Sequence, residues 1–111
     1  MLPDQQPSRG QGRFAPFFGH AALTGVLVPR LMQRTGCLAL ACGCERLPGG
    51  RYRVHALPVD DAIYDPDLDT ALAAVNRAVE RCIAIDPAQY LWSYRRFKKR
   101  PEGEAPFYDF R

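Results

Sequence analysis

Two histidines, His20 and His55, are the first residues to test for proton transfer, because imidazole titrates nearest neutrality. His20 follows Gly19 after a Phe-Phe pair, and His55 sits in a stretch that alternates like a half-exposed strand. No carboxylate stands at a fixed spacing that makes either one an evident general base, and an ordinary turn or surface histidine accounts for both. The four cysteines, Cys37, Cys42, Cys44 and Cys82, lack the C-x2-C pairing and the further ligands of a zinc site. They read as reduced, buried structural thiols, so metal binding is not expected of them. Asp4 and Gln5, in a Gly/Pro loop, have the chemistry to hold a polar head group, although a solvated loop has the same composition. No phosphate-binding glycine loop, dinucleotide fingerprint or Gly-x-Ser-x-Gly elbow is present.

The densest chemistry lies near the C-terminus. Five of the six residues from Arg95 to Arg100 are basic, in a chain of 111 residues whose net charge is only +3. Acids gather elsewhere, at Asp60, Asp61, Asp65, Asp67 and Asp69. Such segregation points to an anionic partner more than the net charge does. Asp86 is a suitable N-cap and Pro87 a suitable first helical residue, so a helix is expected from there to Arg100, ahead of Pro101. In it Tyr90, Tyr94 and Phe97 share one face, while Trp92 lies one turn from Arg96, within reach of a cation–π contact. Three readings stay open on physics alone: a solvated helix end, a nucleic-acid contact through phosphates and stacking, or a helix on an anionic membrane surface.

The elements that must position these residues follow from pattern. Residues 1–12 read as a loop. Arg13–Phe18 reads as an edge strand because of Pro16, and Gly19-His20 as a turn. Thr24 reads as the cap of a helix over about 25–34 that stops at Gly36. The apolar run Cys37–Glu45 suits a strand covered on both faces, and the Pro-Gly-Gly turn joins it to a strand over 51–59 as a hairpin. Leu68, Leu72, Val75, Val79, Cys82 and Ile83 form an apolar stripe at helical spacing, in a helix capped by Asp67 or Asp69 and ending near Ile85. The sum is an α/β chain with a small mixed sheet of about three strands and about three flanking helices, too thin to stand free and resembling part of a larger sheet. It divides into a loop (1–12), an α/β core (13–85) and a basic aromatic helix with its tail (86–111). The longest apolar run is too short to span a bilayer, and no signal peptide is visible.

Asp-Pro-Ala-Gln-Tyr-Leu-Trp-Ser-Tyr-Arg-Arg-Phe-Lys-Lys-Arg-Pro, from Asp86, resembles the C-terminal signature of the lipid A biosynthesis late acyltransferases. Leu2-Pro3-Asp4-Gln5 is similar to that family's Leu-Pro-Asp-Gln-Asp, and Arg13–Gly19 to its Val-Phe-Val-Pro-Phe-Phe-Gly. Thr24-Gly25 and the hairpin Arg46–Tyr52 match in order as well. The resemblance implies a partial glycerolipid-acyltransferase-type fold at the cytoplasmic face of the inner membrane. It implies transfer of a fatty acyl group from an acyl carrier protein thioester to a Kdo-lipid A precursor, without cofactor or metal. Substrate-binding roles then fall to Asp4 and Gln5 at the cleft wall, and to Arg95, Arg96 and Lys98 at lipid phosphates or the anionic membrane surface. No nucleic acid is expected on this reading.

The family's general base is a His-x4-Asp or His-x4-Glu pair. His55 and Asp60 have that spacing but follow the hairpin, whereas the family's pair precedes Leu-Pro-Asp-Gln. This chain is therefore expected to carry no catalytic residue, to be the C-terminal part of an acyltransferase whose amino-terminal half is missing, and to be inactive alone. Gln6 and Tyr94 depart from the family's usual Asp and His. The alternatives are a non-catalytic lipid- or membrane-binding remnant, a small nucleic-acid-binding protein resting only on the basic aromatic segment, and an unstable fragment without function.

Overall fold

In the computed structural model, residues 1–109 are described; positions 110 and 111 of the expected tail lie outside them. Strands β1 (Gly12–Phe17) and β2 (His20–Gly25) lead to helix α1 (Leu27–Thr35), strands β3 (Leu40–Leu47) and β4 (Arg51–Pro58), and helix α2 (Leu68–Ile85). Short 3-10 turns cover Pro48–Gly50, Asp61–Tyr64 and Pro87–Gln89. Among the described residues the strands form two separate antiparallel pairs, β1–β2 and β3–β4, and not one mixed sheet. The molecule is a slab 22 Å in its shortest dimension, one helical layer on one layer of hairpins.

Helix α2 organises the slab, and its sequence explains why. Asp67 accepts from the Thr70 backbone N–H at 3.0 Å and from the Thr70 hydroxyl at 2.6 Å, satisfying donors that the first turn leaves open. Of the apolar stripe, Leu72, Val75 and Ile83 are buried, as the spacing requires. The helix touches two cores. Toward its N-terminal half, Ala74 and Val75 pack with Met32 and Ile63. Toward its C-terminal end, Ile83 packs with Phe17 and Ala22, with Val79, Tyr90 and Phe97 around them.

Strand β2 is absent from the sequence reading, which placed a turn and a helix cap there. The hairpin turn is Phe18-Gly19, with φ of 46° and 77°. Two consecutive residues at positive φ match the twist of a tight hairpin. Gly19 adopts this conformation freely and Phe18 does not. Phe18 is held there by its N–H, which donates to Glu80 Oε1 at 2.6 Å, and by its ring, edge-on to Phe17 at 4.8 Å. Thr24 is a fully buried strand residue rather than a cap; α1 begins after Val26 without a side-chain cap. The Gly36 stop holds, at φ 63° with its N–H on the Met32 carbonyl.

The β3–β4 hairpin forms across Pro48–Gly50 as the turn signal predicts, in the register Cys42↔Ala56 and Cys44↔Val54. Its cover differs from expectation. Strand β3 alternates exposed and half-buried residues, so only one face is covered. Ala41, Gly43 and Glu45 are on that face, and Gly43 passes so close to α2 that a Cβ there would sit 3.1 Å from Ile85 Cδ1. Cys42 and Cys44 share the other face, as alternation requires, but that face is open: both are exposed, as is Cys37, while Cys82 is half-buried. The expected buried thiols are therefore mostly surface thiols, because the second layer that would cover them is lacking among the described residues.

The expected helix from Asp86 to Arg100 does not form. Beyond the 3-10 turn Pro87–Gln89, which Asp86 caps through the Ala88 N–H, the chain runs in linked turns. Trp92, Arg96 and Lys98 N–H groups reach back only two or three residues. Aromatic residues and Ser93 are weak helix formers, and a helix this short is marginal alone. Tertiary anchors on the side chains decide the path instead.

Candidate functional site

The anchors converge on Thr24. Its hydroxyl donates to the Ala22 carbonyl at 2.9 Å and accepts from Asn76 Nδ2 at 2.9 Å and from Arg96 Nη2 at 3.1 Å, filling one donor and two acceptor positions. Asn76, buried on α2, also donates to the Pro16 carbonyl at 2.9 Å. Arg96 Nη1 donates to the Leu23 carbonyl at 2.6 Å, and its guanidinium lies 5.4 Å from the centre of the Phe17 ring. Arg100 reaches the Ala21 carbonyl at 2.8 Å and pairs with Glu104. Asn76 thus fastens α2, and the two arginines the C-terminal segment, to the β1–β2 hairpin.

The N-terminal loop is fastened to the same segment. The Gln6 N–H donates to the Tyr94 hydroxyl at 2.7 Å, across 88 positions of sequence, and Gln6 Nε2 donates to the Arg96 carbonyl at 3.0 Å. Asp4 comes near Tyr90 and Arg96, and its carboxylate acts electrostatically on both. The Tyr90 hydroxyl is buried beside the Asp4 carboxylate, and among the described residues no other group is within hydrogen-bond reach of it. Burial first, and the Asp4 charge second, push its titration up to about 12. Burial pulls the Arg96 guanidinium down, against the pull of Tyr90, Tyr94 and Asp4.

The structure therefore separates the five candidate binding residues. Asp4 lines the wall of a cleft of about 500 Å³ between the N-terminal residues, β3 and α2, and Gln5 is exposed beside it. Arg95 and Lys98 are exposed, with Lys99 next to them. Arg96 is not at the surface: it is 2% exposed, and its expected contact with Trp92 is replaced by the one with Phe17. Trp92 instead donates to the Pro87 carbonyl at 2.7 Å and lies 6.1 Å from Phe18. Leu91 and Trp92 remain 67% and 56% exposed, a few positions before the exposed Arg95 and Lys98 and not on a helix face.

His55 finds a carboxylate that linear spacing hides. Its Nε2 lies 2.9 Å from Glu45 Oε2 across the β3–β4 hairpin, and Arg53 approaches the same oxygen at 3.6 Å. The register supplies the signal: His55 faces Gly43, so Glu45 is its diagonal neighbour on the same face. Asp60, the spaced partner in sequence, turns to Arg77 at 2.7 Å and to the Ala62 N–H. His20 packs edge-on against Phe97 and Phe107 at 5.8 and 5.1 Å. Among the described residues no three His, Cys, Asp or Glu side chains gather as a metal ion requires. No described helix is long and apolar enough to cross a membrane.

The arrangement holds side chains in fixed positions, and among the described residues none places a general base beside a nucleophile. What decides the kinship is the sequence that builds it. The bacterial lipid A biosynthesis acyltransferase model matches residues 1–99. The chain belongs to that family. It is 34% identical over 105 residues to the lipid A biosynthesis lauroyltransferase of Escherichia coli K12, covering 91% of this chain and 34% of that protein. It is 36% identical over 112 residues to the palmitoleoyltransferase of the same organism, covering 97% of this chain and 36% of that protein. A lipid A biosynthesis acyltransferase of Haemophilus influenzae is 32% identical over 117 residues. The chain thus spans about a third of the length of the curated relatives it matches. The matched residues include Gln6, Thr24 and the exposed Arg95 and Lys98 of this chain.

Proposed function

We propose that this chain is the substrate- and membrane-facing part of an acyltransferase. The whole enzyme moves a fatty acyl group from acyl carrier protein to a hydroxyacyl chain of a Kdo-lipid A precursor, at the cytoplasmic face of the inner membrane. The observation that carries the reading is the clasp between the N-terminal loop and the C-terminal segment. It brings Asp4, at the cleft wall, and the exposed cations Arg95 and Lys98 into one unit, in a chain of this family. Arg95 and Lys98 meet lipid phosphates or the anionic surface, with Trp92 and Leu91 at the interface. Arg96 serves as a positioning residue that holds this surface on β1–β2. Asp4 and Gln5 shape the cleft in which the acceptor lies.

The chain supplies no general base for the acceptor hydroxyl, so acyl transfer needs the remainder of the enzyme. Incubated with acyl carrier protein thioester and lipid precursor, the 111-residue chain is expected to give no acylated product. Detectable product would sink this part of the reading. Co-sedimentation with liposomes tests the surface. Binding is expected to rise with anionic lipid, to weaken with salt, and to fall in Lys98→Glu. Binding indifferent to lipid charge and salt contradicts it.

A further inference from the structure

Helix α1 has two distinct sides. At about 100° per residue, Val28, Pro29 and Met32 share one side, and Leu27, Arg30, Leu31 and Arg34 fall within an arc of roughly 100° on the other. The inner side is packed: Pro29 and Met32 are buried, and Val28 and Met32 join the cluster of Ile63, Ala74 and Val75. The outer side is open. Leu27 and Leu31 are 64% and 39% exposed, and Arg30 and Arg34 are exposed beside them. Among the described residues neither guanidinium forms an ion pair.

Each pair is spaced i, i+4, so the leucines make a ridge along one flank of the outer arc and the arginines along the other. An apolar ridge beside an unpaired cationic ridge is the complement of an amphipathic helix whose apolar edge adjoins carboxylates. A lipid surface fits this face less well. The face carries no Trp or Tyr to sit at a headgroup boundary, and the apolar side that an interfacial helix gives to lipid is here occupied by the core. It also stands apart from the aromatic and basic segment. Helix α1 packs on Ala74 and Val75, in the first half of α2, whereas Trp92 meets Phe18, which Glu80 of the second half holds.

The inner side gives the outer side a use. Val28 and Met32 line the cleft of about 500 Å³. A protein seated on the outer side is therefore one helix diameter, roughly 10 Å, from that cleft, close enough to deliver a tethered acyl group into it. We infer that the outer face of α1 docks the acyl carrier protein through an acidic, amphipathic helix. Arg30 and Arg34 pair with its carboxylates, and Leu27 and Leu31 meet its apolar edge. The identity of the partner rests on the proposed function, and the docking face rests on the geometry of α1.

The test titrates the 111-residue chain with lauroyl acyl carrier protein and reads affinity by calorimetry. Arg30→Glu and Arg34→Glu are each expected to raise the Kd roughly tenfold, with helix content unchanged by circular dichroism. Leu27→Ser, which leaves the charge unchanged, is expected to raise it about threefold. Added salt is expected to weaken binding of the parent and to narrow the gap between it and the arginine variants. Arg51→Glu makes the same charge change at the turn end of β4 and is expected to leave the Kd within about twofold.

Three results overturn the inference. In one, the carrier binds but ignores the α1 variants, or Arg51→Glu weakens it equally; the proposed donor then stands and docks elsewhere. In another, the chain binds no carrier, and the liposome measurement judges the proposed membrane surface separately. In the third, Arg30→Glu and Arg34→Glu abolish binding to anionic vesicles and leave carrier binding intact, making the face a membrane contact.

Discussion

The two hairpins of this molecule are built on opposite plans. The β1–β2 hairpin is closed by polar chemistry: Thr24, Asn76 and Arg96 are buried and bonded to one another, and Phe17 and Ala22 pack beneath α2. The β3–β4 hairpin is richer in apolar surface and has less to do with it. Leu40, Tyr52 and Val54 are 52%, 63% and 70% exposed, and its covered face holds the His55–Glu45–Arg53 cluster in place of a core. The difference teaches that in this chain burial follows the partners available more closely than hydrophobicity. A threonine, an asparagine and an arginine go inside because each finds hydrogen-bond partners there, Arg96 through both Nη atoms although its Nε has none among the described residues. A leucine and a valine stay outside because no second layer meets them.

Breaking the closed hairpin gives the largest expected effect. Arg96→Ala removes two charge-assisted hydrogen bonds and is expected to cost roughly 3 kcal/mol in urea unfolding. Unchanged stability with lost anionic-liposome binding would instead make Arg96 a surface ligand. Asn76→Ala strips the Thr24 hydroxyl and the Pro16 carbonyl of a shared donor, and is expected to cost about 2 kcal/mol. Asp67→Ala, in the cap that serves both hairpins through α2, is expected to cost about 1 kcal/mol. On the open hairpin, Val54→Thr is expected to stay within about 0.5 kcal/mol. A loss there as large as that of Asn76→Ala would erase the contrast between the two regions.

Tyr90 sharpens the comparison through pH. Its titration is raised to about 12 in the folded chain, above the ordinary tyrosine value of 10.0, so the folded state holds a proton that the unfolded state releases first. The associated stability is fully present below pH 10.0 and is lost as pH rises toward about 12. Tyr90→Phe is expected to flatten that alkaline limb in thermal melts. The hydroxyl lies beside the Asp4 carboxylate, so at neutral pH the variant is expected to stay within about 1 kcal/mol of the parent. A steeper alkaline loss in the variant would contradict the assignment.

Legibility in the sequence followed the range of the forces involved. Helix α2, its Asp67 cap and the Pro48–Gly50 hairpin were readable, because a 3.6-residue stripe, a capping oxygen and a turn dipeptide act within a few positions. Strand β2 was not, because Phe18 is a poor turn residue and is held at positive φ by Glu80, distant in sequence. The segment after Asp86 has a helix's start signal and loses to contacts with Phe17, Thr24 and Gln6. The site divides in the same way. Basic charge near Arg95 and Lys98 was plain from composition, whereas the burial of Arg96 and the His55–Glu45 pair depend on chain pairing.

The sequence by itself determined the family, the amphipathic helix at the centre, and the concentration of aromatic and basic groups at one end. Each is written in residue type and local spacing. Only the tertiary structure decided which of five basic residues turns inward, and that a threonine read as a cap is the hub of a buried network. It also decided that an apolar strand expected to be covered twice is covered once. Burial and hydrogen-bond satisfaction are properties of what stands opposite a residue, and that is settled when the two hairpins close on α2.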